Sequence, residues 1–367
     1  AGIYILRVWY DRYLTDPQVV ILGLLLVVGF MVAIYFGEML APVLAGIIIA
    51  YLLDGVVEKC TGLGAPRISA VVLVFILFMT FLVFALFWLM PRLSFQVTQL
   101  VQQLPVMLGK GQELLMRLPD KYPNLFTEIQ VNDLIDAIRG RIAEMTQHVL
   151  SMSYASVVGL ITLMVYIILV PVLAFFFLKD KDHILGWFSM RMPAERRLAE
   201  QVWHDVNLQV SNYVRGKVWE IVIVGAVTYA TFSIMGLQYA LLLSTMVGFS
   251  VIIPYIGAAV VTLPIAVIAW FQWGWSADFA WIIVAYGIIQ ALDGNLLVPL
   301  LFSEVVNLHP VAIIIAVLFF GGIWGFWGVF FAIPLATLVQ AVMNAWPQKE
   351  ADDGLPVKAS GDEAASA

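Results

Sequence analysis

The chain has 367 residues, 62% of them hydrophobic and 12% charged, with a mean hydropathy of +0.95. Soluble domains carry about one quarter charged residues, so the composition points to a polytopic integral membrane protein and away from a nucleic-acid-binding one. The net charge of −6 lies largely in the tail after Trp346 and says little about partners, and the lone cysteine, Cys60, excludes a disulfide framework and a thiolate metal site.

Residues 1–16 mix aromatics with Arg7 and Arg12 and suit an interfacial segment at the cytoplasmic surface. The apolar run that follows Asp16 and Pro17 is long enough to remain as an anchor rather than a cleaved signal. Spans are expected at 18–37, at 39–53 with Pro42 and Gly46 inside it, and at 68–90, closing at Pro91. Residues 1–91 therefore form an N-terminal three-span region.

Residues 92–154 are different in kind. Leu93, Val97, Leu100, Val101 and Leu104 recur at helical spacing, as do Val131, Leu134, Ile135, Ile138, Ile142 and Met145. Pro105, Gly109, Gly111, Pro119 and Pro123 punctuate the connection between them. The stretch reads as an extramembrane, amphipathic helical subdomain. A fourth span, about 155–178, ends in VPVLAFFFLKDKD. The stretch 179–217 carries seven Lys and Arg residues against six in the longer 91–154 region, which places it in the cytoplasm. Lys179, Asp180, Lys181 and Asp182 read as a solvated helix end, with a gating contact as the alternative. Pro193 opens an amphipathic surface helix, and the unit 155–212 closes before span five.

Residues 213–345 read as the functional core. Span five covers about 213–236, and a charge-free run, Leu237 to Trp270, follows it, broken at Pro254 and Gly257. Proline removes a backbone donor and clashes with the preceding turn, so the run reads as two arms and a tip, with Tyr255 inside the tip. Residues 239–253 would rise about 22 Å as a helix, short of the roughly 30 Å hydrocarbon core. A re-entrant tip leaves backbone groups unpaired at membrane depth, which is tolerated only beside protein or a polar cavity. A kinked pair of ordinary spanning helices is the plainer reading. The linker with Trp273 and Trp275 suits the outer interface. Span six, about 279–300, leads to a second charge-poor run broken by Gly321, Gly322, Gly325 and Gly328. The tail, 346–367, is polar, small and expected to be disordered.

A shift of 71 residues lays the second run on the first, Pro254 falling on Gly325 and Gly257 on Gly328. Parity agrees. With 179–217 inside, span five emerges outside, the first hairpin returns the chain to that face, and span six brings it back in. The second hairpin then starts from the inner face. Such inverted repeats are used by many secondary transporters, with the substrate near mid-membrane. The expected fold is all-α and polytopic, with about eight membrane segments including the two broken hairpins, and both termini in the cytoplasm.

Between Ile221 and Gln348 the charged side chains are Asp278, Asp293 and Glu304. Asp278 follows the tryptophan linker and reads as interfacial. Asp293 sits mid-span, and an ionisable group there costs several kcal/mol unless it faces a cavity or a partner. It is the leading candidate for ion coupling, with Gln290 and Asn295 beside it and a proton or sodium ion as coupling ion. The plainer alternative is that Asp293 closes span six early. Glu304, Asn307 and His309 read as an inner-interface group. In NYVRGKVWE, Arg215 obeys the positive-inside bias and Glu220 has an i,i+3 partner in Lys217, so a surface ion pair is the default. Arg215, Glu220 and Asp180 are kept as gating candidates.

No phosphate-binding GxxxxGK[ST] loop, HExxH or GxSxG elbow occurs. Asp278 and Asp293 lie about 22 Å apart along one helix, too far for an aspartyl-protease pair. An enzyme is not expected, and no cofactor is called for.

PVLAFFFLKDKD, NYVRGKVWE, GLQYALLLSTMVGFSVIIPYIGAAVVTLPIAVIA, QALDGNLLVPLLF and NLHPVAIIIAVLFFGGIWGFWGVFFAIPLATLV, over about 165–343, resemble the autoinducer-2 exporter family of PerM-like permeases. The N-terminal half is similar only in layout. The resemblance implies a bacterial inner-membrane homo-oligomer, pentameric in the family, whose members are associated with export of autoinducer-2 or with sodium/proton antiport. The family's IPYIG maps onto Ile253 to Gly257, and its acid-Gly-Asn element onto Asp293, Gly294 and Asn295, where members often carry Glu for Asp. Export of a small polar solute, antiport through Asp293 and a membrane scaffold built on the 92–154 insert are the three competing expectations, with membrane lipid as the surrounding partner.

Overall fold

The computed structural model describes residues 17–116, 157–191, 197–302 and 308–345, with single positions between 129 and 144. Among them there is no strand. The readings of residues 1–16, of most of the insert beyond Met116, of Pro193, of Glu304 and Asn307 and of the tail fall outside the described residues.

Helix α1 (Pro17–Gly62) is continuous over 46 residues, about 69 Å at 1.5 Å per residue. Spans one and two are thus one continuous helix. Pro42 lies inside this helix and is buried, so packing offsets the roughly 3 kcal/mol that an interior proline costs. A Cβ at Gly46 would lie 2.9 Å from Leu173 Cβ on α4 (Val157–Lys179). Eight residues further along, Asp54 on α1 meets Lys181, just past the end of α4, at 2.7 Å, so α1 and α4 run parallel.

Helix α2 (Arg67–Phe84), a π-helical turn (Ala85–Leu89) and α3 (Met90–Met116) follow one another without a loop. Span three does not close at Pro91, and the punctuated connection has not begun at Pro105, which lies inside α3. The π turn explains the first. Pro91 has no N–H to give the carbonyl four residues earlier, and Met90 N–H reaches back five residues to Ala85 O.

After α5 (Lys181–Arg191), α6 (Arg197–Ile234) is the axis of the core: it touches α1, the first arm of hairpin one and the last helix of the chain. Hairpin one is α7 (Ala240–Ser250), a turn and α8 (Ile256–Trp273). Then come α9 (Ala277–Leu292), a second π turn (Asp293–Leu297) and α10 (Val298–Phe302). Pro299 follows this π turn as Pro91 follows the other, and Val298 N–H reaches Asp293 O. Hairpin two is α11 (Pro310–Phe330) and α12 (Ala332–Ala345), with non-helical backbone at Gly325 (φ 57°, ψ −130°).

Six helical stretches among the described residues are long and apolar enough to cross a membrane. The core helices meet through small residues, as apolar helices do when lipid offers no hydrophobic gain. A Cβ at Gly248 on α7 would lie 2.9 Å from Ile221 O and 3.2 Å from Gly225 Cα on α6. Phe232, Leu243, Val247, Ile265, Ile282 and Tyr286 fill the space among α6 to α9.

Candidate functional site at the hairpin tips

Hairpin one opens at the C-terminal end of α6. Gln272 Nε2 donates to Gly236 O at 2.8 Å and its Oε1 accepts from Gln238 N at 2.8 Å, tying the end of α8 to the start of the hairpin. Helix α7, with 11 residues, rises only about 16 Å, about half the hydrocarbon thickness. The tip turns over Val251 to Tyr255, as the Pro254 break predicts. Tyr255 holds a φ of 63°, uncommon for a side-chain-bearing residue. Gly257 is where the arms press together: a Cβ there would lie 1.7 Å from Ser250 O.

The second tip repeats this construction 71 residues on. A Cβ at Gly328 would lie 1.9 Å from Phe320 O. Residues eight apart in a straight helix would be about 12 Å apart, so the chain reverses here, with the positive φ carried by Gly325. This hairpin starts elsewhere. Phe302, which precedes it, packs on α6 at Gly216, where a Cβ would meet Phe302 Cε1 at 2.8 Å, and its ring stands 5.8 Å from that of Tyr213. The two hairpins therefore begin at opposite ends of the 213–234 stretch of α6. That stretch is about 32 Å long, close to the hydrocarbon thickness. Ile252 of the first tip and Phe330 and Ile333 of the second hairpin share one buried cluster with Tyr213 and Phe302.

A charged group lies against the first tip. Lys217, 4% exposed, pairs with Glu220, 2% exposed, at 2.6 Å. Its Nζ also donates to Val251 O at 3.0 Å and stands 5.1 Å from the Phe302 ring centroid. The surface ion pair expected here is instead buried, because the tip of hairpin one and α10 close over this turn of α6. Asp293 is half-buried and close enough to exchange electrostatic influence with Lys217 and Glu220. Its Oδ1, and Nε2 of Gln290 one turn earlier, are buried with no hydrogen-bond partner among the described residues. Pro299 has no N–H to give Asn295 O, and the π turn stands where an α-helical bond would be missing.

Asn295 itself is exposed and donates to Ala291 O at 2.8 Å, so its side chain does not face Asp293. Asp278 lies in the first turn of α9, exposed, behind the Ser276 cap. Arg215 belongs to a second network, on the side of α6 facing α1. Its Nε donates to Tyr51 O at 3.0 Å, and it stands 3.9 Å from Asp54 and 3.8 Å from Glu58. Lys181 joins Asp54 at 2.7 Å, and Tyr51 donates to Asn207 at 2.5 Å. Lys181 and Asp182, which bridges Arg67 at 2.9 Å, hold other helices rather than forming a free helix end. Asp180 pairs with its neighbour Lys179. The three gating candidates thus fall in three places: Glu220 at the tip, Arg215 on α1 and Asp180 at the helix end. Lys217 and Asp54 were missed as site residues. The signal for Lys217 was its i,i+3 acid at the threshold of a long charge-poor stretch; Asp54 had none beyond its charge within an apolar run.

Comparisons with known proteins bear on the whole chain. The family model described as AI-2E family transporter matches residues 24–348. The chain is 46% identical over 339 residues to a protein of Escherichia coli (strain K12) named as the permease PerM, covering 92% of this chain and 96% of that one. It is 26% identical over 310 residues to YrrI of Bacillus subtilis (strain 168), named as a transport protein, covering 82% and 85%. It is 28% identical over 284 residues to YueF, named likewise, of the same organism, covering 75% and 76%.

Proposed function

The chain belongs to the AI-2E family of transporters, and from this we propose that it is a secondary transporter of the inner membrane that exports a small polar solute such as autoinducer-2. Alternating access runs between the two hairpins, around Asp293. The observation that carries this reading is the meeting of the two hairpins. They start from opposite ends of one membrane-length stretch of α6 and share a packed cluster beside buried, partly unsatisfied polar groups. Buried polar side chains without partners are expensive in a membrane interior and mark pathways for solutes or ions. The Lys217 pair, Asp293 and Gln290 offer both a cation and acceptors to a hydroxyl-rich solute.

A second reading has its own support. Two carboxylates, Glu220 and Asp293, stand near one lysine, so the group carries one negative charge in excess when all three are ionised. A sodium ion or proton would balance it, which favours sodium/proton antiport with Asp293 as the coupling carboxylate. Everted vesicles with a pH-sensitive dye separate the two. Sodium-dependent proton movement that Asp293→Asn abolishes supports antiport. Accumulation of autoinducer-2 in everted vesicles, indifferent to sodium and reduced about tenfold or more by Asp293→Asn, supports export. Wild-type levels of both in Asp293→Asn would overturn the assignment of Asp293.

A further inference from the structure

The turn that closes hairpin one leaves carbonyls at the end of α7 without intrahelical donors, as every helix C-terminus does. Inside a bilayer those carbonyls need partners from elsewhere in the protein. Val251 O has one, and it is unusual: a lysine from another helix, itself almost wholly buried. Lys217 does not reach the tip as a free cation. Glu220 holds it from one side at 2.6 Å, and the Phe302 and Tyr213 rings lie 5.1 and 5.9 Å from its nitrogen.

We infer that Lys217 is a positioning residue that clasps the tip of hairpin one shut, its ammonium fixed by Glu220 and gripping the carbonyl of Val251, and that neutralising Glu220 opens the clasp. The logic is electrostatic. A buried ammonium is tolerated while a carboxylate pairs with it, and removing one partner leaves an uncompensated buried charge. If Glu220 takes a proton, Lys217 keeps only a neutral carbonyl and the weaker field of Asp293. It then swings away toward Asp293 or water, and that frees Val251 O. The groups facing Lys217 are Tyr213 and Glu220 on α6, Val251 O in the tip, Asp293 in the π turn and the Phe302 ring on α10. Among the described residues, Asp293 is the further charge placed to draw the lysine from its place. Among the described residues no charged side chain is seen to grip the second tip, where aromatic rings pack around Gly325: Phe320 on Trp324 at 5.9 Å and Phe326 against Trp327 at 5.5 Å.

This deepens the transport reading, yet the clasp can be tested without any transported substrate. Cys60 is the only cysteine, so Cys60→Ser gives a background in which Ile253→Cys reports on the first tip and Phe326→Cys on the second. Purified full-length protein in nanodiscs is labelled with a water-soluble maleimide from mildly alkaline to mildly acidic buffer, rates being normalised to a free thiol at each pH. Labelling at 253 is expected to rise with acid in the otherwise unaltered protein. In Lys217→Met and in Glu220→Gln it should be high throughout and flat with pH. The increase over the unaltered protein at alkaline pH should be about tenfold or more, as follows from losing a hydrogen bond to a charged group. Lys217→Arg should restore protection and the pH response, and labelling at 326 should respond to none of these. Protection at 253 that survives Lys217→Met overturns the clasp, as does a pH response that survives Glu220→Gln. A variant that loses its monodisperse gel-filtration peak is replaced by Lys217→Gln. Flux sorts the two claims: a clasp that fails while Asp293→Asn still blocks flux leaves the transport reading standing, and a clasp that holds without flux in any variant leaves only the clasp.

Discussion

The two hairpins solve one backbone problem with different chemistry. Each reverses by pressing a glycine onto a carbonyl of the first arm, Gly257 onto Ser250 and Gly328 onto Phe320. The first then secures its tip with polar groups from outside the hairpin, Lys217 on Val251 O and Tyr286 on Ala258 O. The second turns on Gly325 and is wrapped in rings, with Trp324 against Phe30 of α1 at 5.4 Å. A tip held by charge can respond to protons and ions; a tip held by aromatic packing responds to neither. On the transport reading proposed above, hairpin one would be the moving gate and hairpin two its abutment.

The shared part of the design predicts the largest effects. Gly257→Ala and Gly328→Ala each place a methyl carbon under 2 Å from a carbonyl oxygen, where neither backbone can yield cheaply. Overpacking of this kind costs about 3 kcal/mol or more. Both variants should lose most of their folded yield by fluorescence-detected gel filtration, and by similar amounts. A large loss at one position and none at the other would break the equivalence of the two tips.

The aromatic side is tested next. Trp324→Ala removes the ring that touches Phe30 and Phe320, and large-to-small aromatic changes in packed regions cost about 3 kcal/mol. Trp324 is only half-buried, so the lower end of that range applies. Its melting temperature should fall at every pH by the same amount, whereas Lys217→Met should destabilise most at alkaline pH, where it leaves Glu220 ionised and unpaired. A pH-dependent loss in Trp324→Ala would blur the distinction between the hairpins.

Much of this was legible in the sequence because proline, glycine and charge are strong signals in apolar chain. Pro254, Gly325 and the 71-residue offset located both reversals, and the isolation of Asp293 among uncharged residues marked it before any coordinates. What was not legible depends on what packs where. Lys217 obeys the same positive-inside statistics as an exposed lysine, and only the arrival of a tip two helices away buries it. Asn295 sits two residues from Asp293 and faces away, since the local turn, not the sequence distance, decides direction. The boundary expected between residues 37 and 39 is absent: α1 runs straight through it, with contacts to α4 and α6. The π turns before Pro91 and Pro299 were readable in principle, from a proline two residues beyond the widened turn.

The smallest expected effect is the most discriminating about hairpin one. Tyr286 is buried on α9 and donates its hydroxyl to Ala258 O at 2.9 Å, just past the tip. Tyr286→Phe keeps the ring, which stands 6.5 Å from that of Phe232, and removes only the donor. A neutral hydrogen bond of this sort contributes about 1 kcal/mol, so the melting temperature should drop by only a few degrees. Ala258 lies on the far side of the turn from Val251, and its partner is uncharged. If the lysine alone governs the tip, maleimide labelling at position 253 in Tyr286→Phe should rise slightly at all pH values and keep its acid response. If the response disappears, the gate is held jointly by α6 and α9, and Glu220 is not its sole control.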